Sequence, residues 1–251
     1  MKTLFSPKTW LPAAGIIGLV LIWQATAWFV SDPLFLPSPL ATTRAAWQLL
    51  AEGYWRDLLA TSARALSAWI LALALGVPVG LLLGLWSDLY DSCRAVLAFL
   101  RSLPSYLLIT VFVVMGHSGE IARVGTVMLA SAWIIADECA ESLCTLPPSR
   151  IDVLRAFRAS SWFILTRALV FEALGRTIIP AARTTIGICF VVSTVVEALA
   201  VPTYGVGARL LNLFAVANMA PVFGFLLLTG LMGVLLNAIV HRSARLLIFW
   251  S

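Results

Sequence analysis

Lysine is almost missing from this sequence. Only Lys2 and Lys8 occur, and every other basic residue is arginine. A phosphate-binding P-loop needs a lysine directly after a glycine-rich turn. No GxxxxGK stretch is present, so the chain does not hydrolyse ATP through that motif. Charge is scarce as well: 12% of residues are Asp, Glu, Lys or Arg, while 61% are hydrophobic and the mean hydropathy is +0.97. Soluble domains carry about 25% charged residues. So few charges do not cover a water-facing surface, which excludes an ordinary soluble enzyme, a disordered chain and a collagen-like fibre. The two histidines, His117 and His241, lie too far apart for an HExxH metal motif and offer no Ser-His-Asp ordering. The four cysteines, Cys93, Cys139, Cys144 and Cys189, sit in apolar or membrane-proximal segments, and no two have CxxC spacing. They read as small apolar side chains in packed helices.

What remains is the composition of an all-α, polytopic integral membrane protein. At roughly 20 apolar residues per span, about six spans fit the chain with room for loops. The first runs from Leu11 to Val30, too long for a signal-peptide core. The others fall near Leu66–Trp86, Val96–Met115, Ile121–Ala136, Thr177–Val201 and Val222–Val240. An amphipathic helix is expected over Leu40–Leu59, with Trp47, Leu50, Tyr54 and Leu58 at helical spacing. A polar turn is expected at Asp88–Arg94, and Pro104 should break the third span. The net charge of +5 is no signal for nucleic acid here. Lys2, Lys8, Arg94, Arg101, Arg150, Arg155, Arg158, Arg167, Arg176, Arg242 and Arg245 fall on one side of this layout. Arg44, Arg56, Arg64, Arg123 and Arg209 fall on the other. The excess marks the first side as cytoplasmic, with the N-terminus inside.

Two features go beyond composition. Gly76, Gly80 and Gly84 repeat every four residues in the second span, a small-residue seam that lets another helix approach closely. Residues 149–176 form a basic cytoplasmic segment with five arginines. Ser149 and Asp152 suit a helix start, followed by an apolar stripe of Ile151, Leu154 and Phe157. Such a segment suits either an anionic lipid surface or a soluble partner.

The order of these elements resembles the transmembrane permease subunit of binding-protein-dependent ABC importers, nearest to the aliphatic sulfonate, taurine and nitrate branch. The matching stretches are Leu34-Phe-Leu-Pro-Ser-Pro39, Leu75-Gly-Val-Pro-Val-Gly80 with Gly84, and Arg101-Ser-Leu-Pro104. Met115-Gly116 with Glu120, Glu197, and Gly205-Val-Gly207 complete the set. The family's cytoplasmic EAA loop corresponds to Asp152–Ser161. It departs from the pattern: Asp152-Val153-Leu154 stands for Glu-Ala-Ala, and Arg158 stands where a glycine is expected.

The resemblance implies a type I importer permease fold formed as a single transmembrane domain over residues 1–251. It implies a bacterial inner-membrane location and no cofactor in this chain, ATP and Mg2+ being bound by two partner ATPase subunits. The other implied partners are a second permease subunit, identical or different, and a periplasmic or lipid-anchored binding protein. Asp152, Arg155, Phe157, Arg158, Ser160, Ser161 and Trp162 would form the ATPase-docking face. The substrate would be a small solute, such as a sulfonate, taurine or nitrate.

Ionisable groups within spans are costly and usually face a cavity or a partner. Arg101, Arg183 and Glu197 are therefore pathway candidates, with Ser105, Thr110, Ser131, Ser193 and Thr194 as polar lining. A small lipid-modifying membrane enzyme and a passive channel are the competing readings. The first would need a metal or acid cluster, for which Asp137, Glu138 and Glu141 are the candidates.

Overall fold

In a computed structural model, residues 7–117, 119–145, 152, 156, 160, 163, 171–200 and 204–247 are described. Nine α-helices and one 3-10 turn account for most of them, and no strand occurs among the described residues. The helices are α1 (Pro7–Val30), α2 (Pro39–Ala51), α3 (Trp55–Leu85), α4 (Ser87–Ser102) and α5 (Leu108–Val114), then α6 (Glu120–Cys144), α7 (Phe171–Leu199), α8 (Val206–Ala215) and α9 (Met219–Leu247). With backbone polar groups satisfied inside each segment, helices are the natural spanning structure for so apolar a chain.

Ala13–Val30, Trp55–Leu85 and Met219–Ser243 are long and apolar enough to cross a bilayer. The pair α4 and Ser105–Val114, bent by 82°, makes a fourth if it counts as one broken span. α6 has the length, at 25 residues, but it carries Glu120, Arg123, Asp137, Glu138 and Glu141. Its charges need partners, and those partners form the sites described below.

The chain clusters into two compact units, residues 1–57 with 209–231, and residues 58–208 with 232–251. In the first, the Leu-Pro-Ser-Pro stretch is a helix start. Pro39 occupies the first turn of α2, where its missing N–H costs nothing, and Ser38 Oγ accepts from Ala41 N at 3.2 Å. Trp23 donates to the Pro37 carbonyl at 3.1 Å, tying α1 to this turn. The helix expected over Leu40–Leu59 is two helices. Gly53, at φ +94°, ends α2, and α3 restarts at Trp55. The buried face of α2 is Thr42, Ala45, Ala46 and Leu49, while Trp47 is exposed. This small-residue face admits Gly224 of α9: a Cβ there would lie 2.8 Å from Ala46 N.

The second unit is built on α3, α6 and α7. Gly76, Gly80 and Gly84 of α3 all face α6. A Cβ on Gly76 would lie 2.6 Å from the Ala132 carbonyl oxygen, and one on Gly84 2.8 Å from Leu143 Cβ. At Gly80 it would collide with the Ala136 carbonyl. The glycine repeat is thus a backbone-on-backbone seam, as its spacing suggests. Beside it, Ala65, Ala68, Val127, Ile186, Cys189, Phe190, Leu236 and Val240 form the main apolar cluster.

Three further sequence expectations change. Asp88–Arg94 is the start of α4 rather than a turn. Asp88 in the first helical turn and the buried pair Tyr90 and Leu97, seven residues apart, favour helix there. α6 runs two turns past Ala136, because Asp137 is buried against partners and need not reach water. α7 begins at Phe171, inside the segment read as the loop 149–176. The break at Pro104 is where the sequence put it.

The seam makes a direct test. Gly80→Val should destabilise the purified protein by about 1–3 kcal/mol or more, because rigid backbone meets the new side chain. Gly15→Ala, where no atom lies within 4 Å of the new Cβ, should leave thermal stability unchanged. Equal melting temperatures for the two variants would remove the seam from the account.

Candidate functional site

Two ionic sites lie at opposite ends of α6. Glu120 and Asp137 are separated by about 26 Å of helix at ~1.5 Å per residue, close to the ~30 Å thickness of a bilayer's hydrocarbon core. Each site gathers charged groups from helices far apart in sequence.

Arg64 centres the first. It lies on α3, one turn after Thr61, so both side chains leave the helix on the same side. Its Nη1 donates to Glu197 Oε1 at 2.6 Å. Its Nε and Nη2 donate to the two oxygens of Glu120 at 2.7 and 2.8 Å, a fork-on-fork pair. Glu197, late in α7, is fully buried. A carboxylate there would be strongly disfavoured without partners. It has three: Arg64, the Thr61 hydroxyl within 2.9 Å of both its oxygens, and the Gly207 N–H at 3.1 Å. The Val206 N–H donates in turn to Thr61 Oγ at 2.9 Å. Val206 and Gly207 open α8, so Glu197 and Thr61 satisfy N–H groups that a helix start leaves unpaired, with negative charge at the favourable end.

The two glycines after α7 follow from this. Gly205 has φ +123°, and a Cβ there would lie 2.6 Å from Glu197 Oε2. A Cβ on Gly207 would strike the Thr194 carbonyl. Only glycine lets this turn close over the buried carboxylate. Tyr204 covers the site from outside: its ring lies 4.7 Å from the Arg64 guanidinium carbon, and its hydroxyl donates to Glu120 Oε1 at 3.2 Å. Arg123, one turn after Glu120, donates to the same oxygen at 2.8 Å. Glu120 is the first residue of α6, outside the spanning segment. Arg64's hydrogen bond holds its carboxyl below the usual carboxylate range.

The second site lies near the C-terminal end of α6. Asp137 is buried and accepts from Tyr90 Oη at 3.0 Å and from Arg101 Nη1. An open pocket of about 510 Å³ adjoins the pair, lined by Tyr90, Arg94, Arg101 and Ser102 of α4 with Asp137 and Glu141 of α6. Among the described residues, no three His, Cys, Asp or Glu side chains gather as a metal site. Asp137, the first acid of the expected cluster, is engaged by Arg101 and Tyr90 instead.

The remaining sequence candidates scatter. Thr110 is exposed and donates to the Leu107 carbonyl at 2.7 Å, and Ser105 is half-buried in the 3-10 turn. Ser131 is buried against Cys189 Sγ at 3.0 Å. Ser193 is buried, and Thr194 donates to the Phe190 carbonyl at 3.0 Å. The side chain of Arg183 lies outside the described residues. Of the docking face, Asp152 and Ser160 are described and exposed. Arg155, Phe157, Arg158, Ser161 and Trp162 lie outside the described residues. Sequence reasoning selected Glu197 and Arg101 but not Arg64, Thr61, Tyr204, Tyr90 or the role of Asp137. One usable signal was present: Asp57, Thr61 and Arg64 put polar residues at helical spacing on one face of a long, mostly apolar helix.

Removing Arg64 would leave Glu197 buried and unpaired. Arg64→Ala should cost about 3–5 kcal/mol, read as lost thermal stability in detergent, and Arg64→Lys should recover only part, since an ammonium cannot fork to Glu120 while reaching Glu197. The double variant Arg64→Ala, Glu197→Gln should be more stable than the sum of the single losses. Additive losses would show that the two residues do not depend on each other.

No profile of a known protein family matches the chain. Single relatives do, along nearly its whole length. It is 24% identical to the bicarbonate transport system permease protein CmpB of Synechococcus elongatus, over 94% of this chain and 88% of the relative. It is 20% identical to the nitrate import permease protein NrtB of Synechocystis sp., over 96% and 90%. Its fold matches a chain of the methionine ABC transporter MetNI in an inward-facing conformation, with TM-score 0.66 and 23% identity over 78% of this chain and 96% of that one. The chain is thus similar along nearly its whole length to permease proteins of ABC transporters and shares the fold of a chain of one.

Proposed function

We propose that this importer permease takes up a small inorganic or organic anion, with ATP hydrolysed by separate ATPase subunits docked on the segment around 149–176. The observation that carries this is the similarity, over more than nine-tenths of the chain, to permeases named for bicarbonate and nitrate. The lack of any lysine beyond position 8, and hence of a P-loop, supports the assignment of ATP hydrolysis to a partner. The excess of arginine in the segment between α6 and α7 supports a cytoplasmic position for it.

The coupling follows from the connectivity. The 149–176 segment joins α6 to α7. Near its other end each of these helices carries an acid, Glu120 or Glu197, held by the one guanidinium of Arg64. A displacement of the segment by the ATPase therefore acts on a helix pair whose far ends are already tied, and such a pair moves as a body. A different fit of the segment to two states of the ATPase supplies the driving free energy. Asp152, Arg155, Phe157, Arg158, Ser160, Ser161 and Trp162 make the docking face in this reading. Arg101, Ser105, Thr110, Ser131, Arg183, Ser193, Thr194 and Glu197 remain the proposed polar groups of the pathway. A second permease subunit completes that pathway, a binding protein delivers the substrate, and the N-terminus lies in the cytoplasm of a bacterial inner-membrane protein.

The test is uptake by vesicles holding the complex purified from its native membrane, with labelled nitrate, bicarbonate and taurine offered separately. ATP-dependent accumulation of one of them is expected. Equal uptake without ATP, or purification without an ATPase, would overturn the reading. Phe157→Ala or Arg158→Ala should lower uptake about tenfold, the scale of one interface anchor, while the protein stays folded.

A further inference from the structure

The pocket between α4 and α6 holds opposite charges apart. Arg94 and Glu141 both line it and both are exposed, yet neither has an ion pair among the described residues. Asp137 is already engaged by Tyr90 and Arg101. Arg101 uses Nη1 on that contact, and its other N–H groups have no hydrogen bond among the described residues. Among the residues that line the pocket, the unsatisfied groups are thus cationic donors on α4 and the Glu141 carboxylate on α6; Glu138, also on α6 but not lining the pocket, has one buried oxygen without a partner among the described residues. A simple anion would satisfy the arginines and be repelled by Glu141, and a simple cation would do the reverse.

We propose that this pocket binds a zwitterion in which an oxyanion and a primary ammonium lie a few bonds apart, as in phosphoethanolamine, free or as the headgroup of phosphatidylethanolamine. The oxyanion sits on Arg94 and the spare N–H groups of Arg101, and the ammonium donates to Glu141 and to the free lone pairs of Asp137. The volume of about 510 Å³ is several times that of a single water-sized anion and suits a molecule of this size. The setting suits a lipid: α4 turns 82° away from the apolar segment that follows it. If that segment enters the bilayer as a short apolar helix, α4 runs along the surface, where headgroups lie. Arg94 and Arg101 are placed as interfacial helices place their basic residues.

The test uses the full chain purified in detergent. Native mass spectrometry measures retention of phosphatidylethanolamine, phosphatidylcholine and phosphatidylglycerol, each added separately. Phosphatidylethanolamine should be retained about tenfold better than the other two. Choline has no N–H to donate, and the glycerol headgroup has no cation, so each loses one set of charge-assisted bonds. Arg94→Ala and Glu141→Gln should each abolish that preference, whereas Arg44→Ala, which removes an exposed arginine elsewhere, should keep it. Soluble phosphoethanolamine then separates the sources. Displacement of the lipid at millimolar concentration supports recognition of the headgroup chemistry alone, and no displacement supports a site that needs the lipid. Calorimetric binding of phosphoethanolamine, lost in both pocket variants, with no lipid preference would support the free solute. Equal retention of all three lipids and no binding of the soluble zwitterion would overturn the proposal, as would a preference that survives both pocket variants.

Discussion

One guanidinium organises the second unit of this protein. Arg64 reaches from α3 to the first residue of α6 and to a fully buried acid near the end of α7, and it neutralises both. The arrangement is cooperative in the strict sense. Glu197 is tolerable in the interior only because Arg64 and Thr61 are present. The turn into α8 has its geometry only because Glu197 is there to receive the Gly207 N–H. Gly205 and Gly207 are glycines only because that carboxylate and the backbone around it leave no room for a Cβ. Residues that look unrelated along the chain are consequences of one buried charge.

The two ends of α6 use the same physics for different ends. Near its start, acid and guanidinium are saturated and closed over by Tyr204. Near its end, the acid is buried too, but its arginine is half-exposed and opens onto a pocket with charges to spare. A saturated network rigidifies what it joins. An unsaturated one leaves donors and acceptors for something else. The helix therefore has a fixed end and an end with groups to spare, about 26 Å apart along its axis.

How much of this was legible in the sequence depended on range. Local features read correctly. The run Leu11–Val30, the break at Pro104 and the glycine repeat all act within a few residues, so spacing alone reveals them. The end of α2 did not. Gly53 breaks a pattern that looked continuous from Leu40 to Leu59, because apolar periodicity can persist across a one-residue left-handed turn. α6 was read too short because Asp137, Glu138 and Glu141 look like a span's polar edge, and only Tyr90 and Arg101 make a buried Asp137 possible. The same holds for Arg64. A lone arginine near a span's end invites a snorkelling explanation. Its partners are 56 and 133 residues away, and no periodicity joins positions so far apart.

The glycine seam also restricts how the protein can move. Gly76, Gly80 and Gly84 receive successive carbonyls and side chains of α6 at a repeat of four residues, about 6 Å along the axis. Between these notches α3 presents full side chains. Sliding α3 along α6 by one or two ångströms would therefore lift the helices apart, and only a shift of a whole notch would reseat them. The seam behaves as a detent. Small gating displacements have no low-energy route along it, so α3 and α6 travel together and any relative motion belongs to other helix pairs.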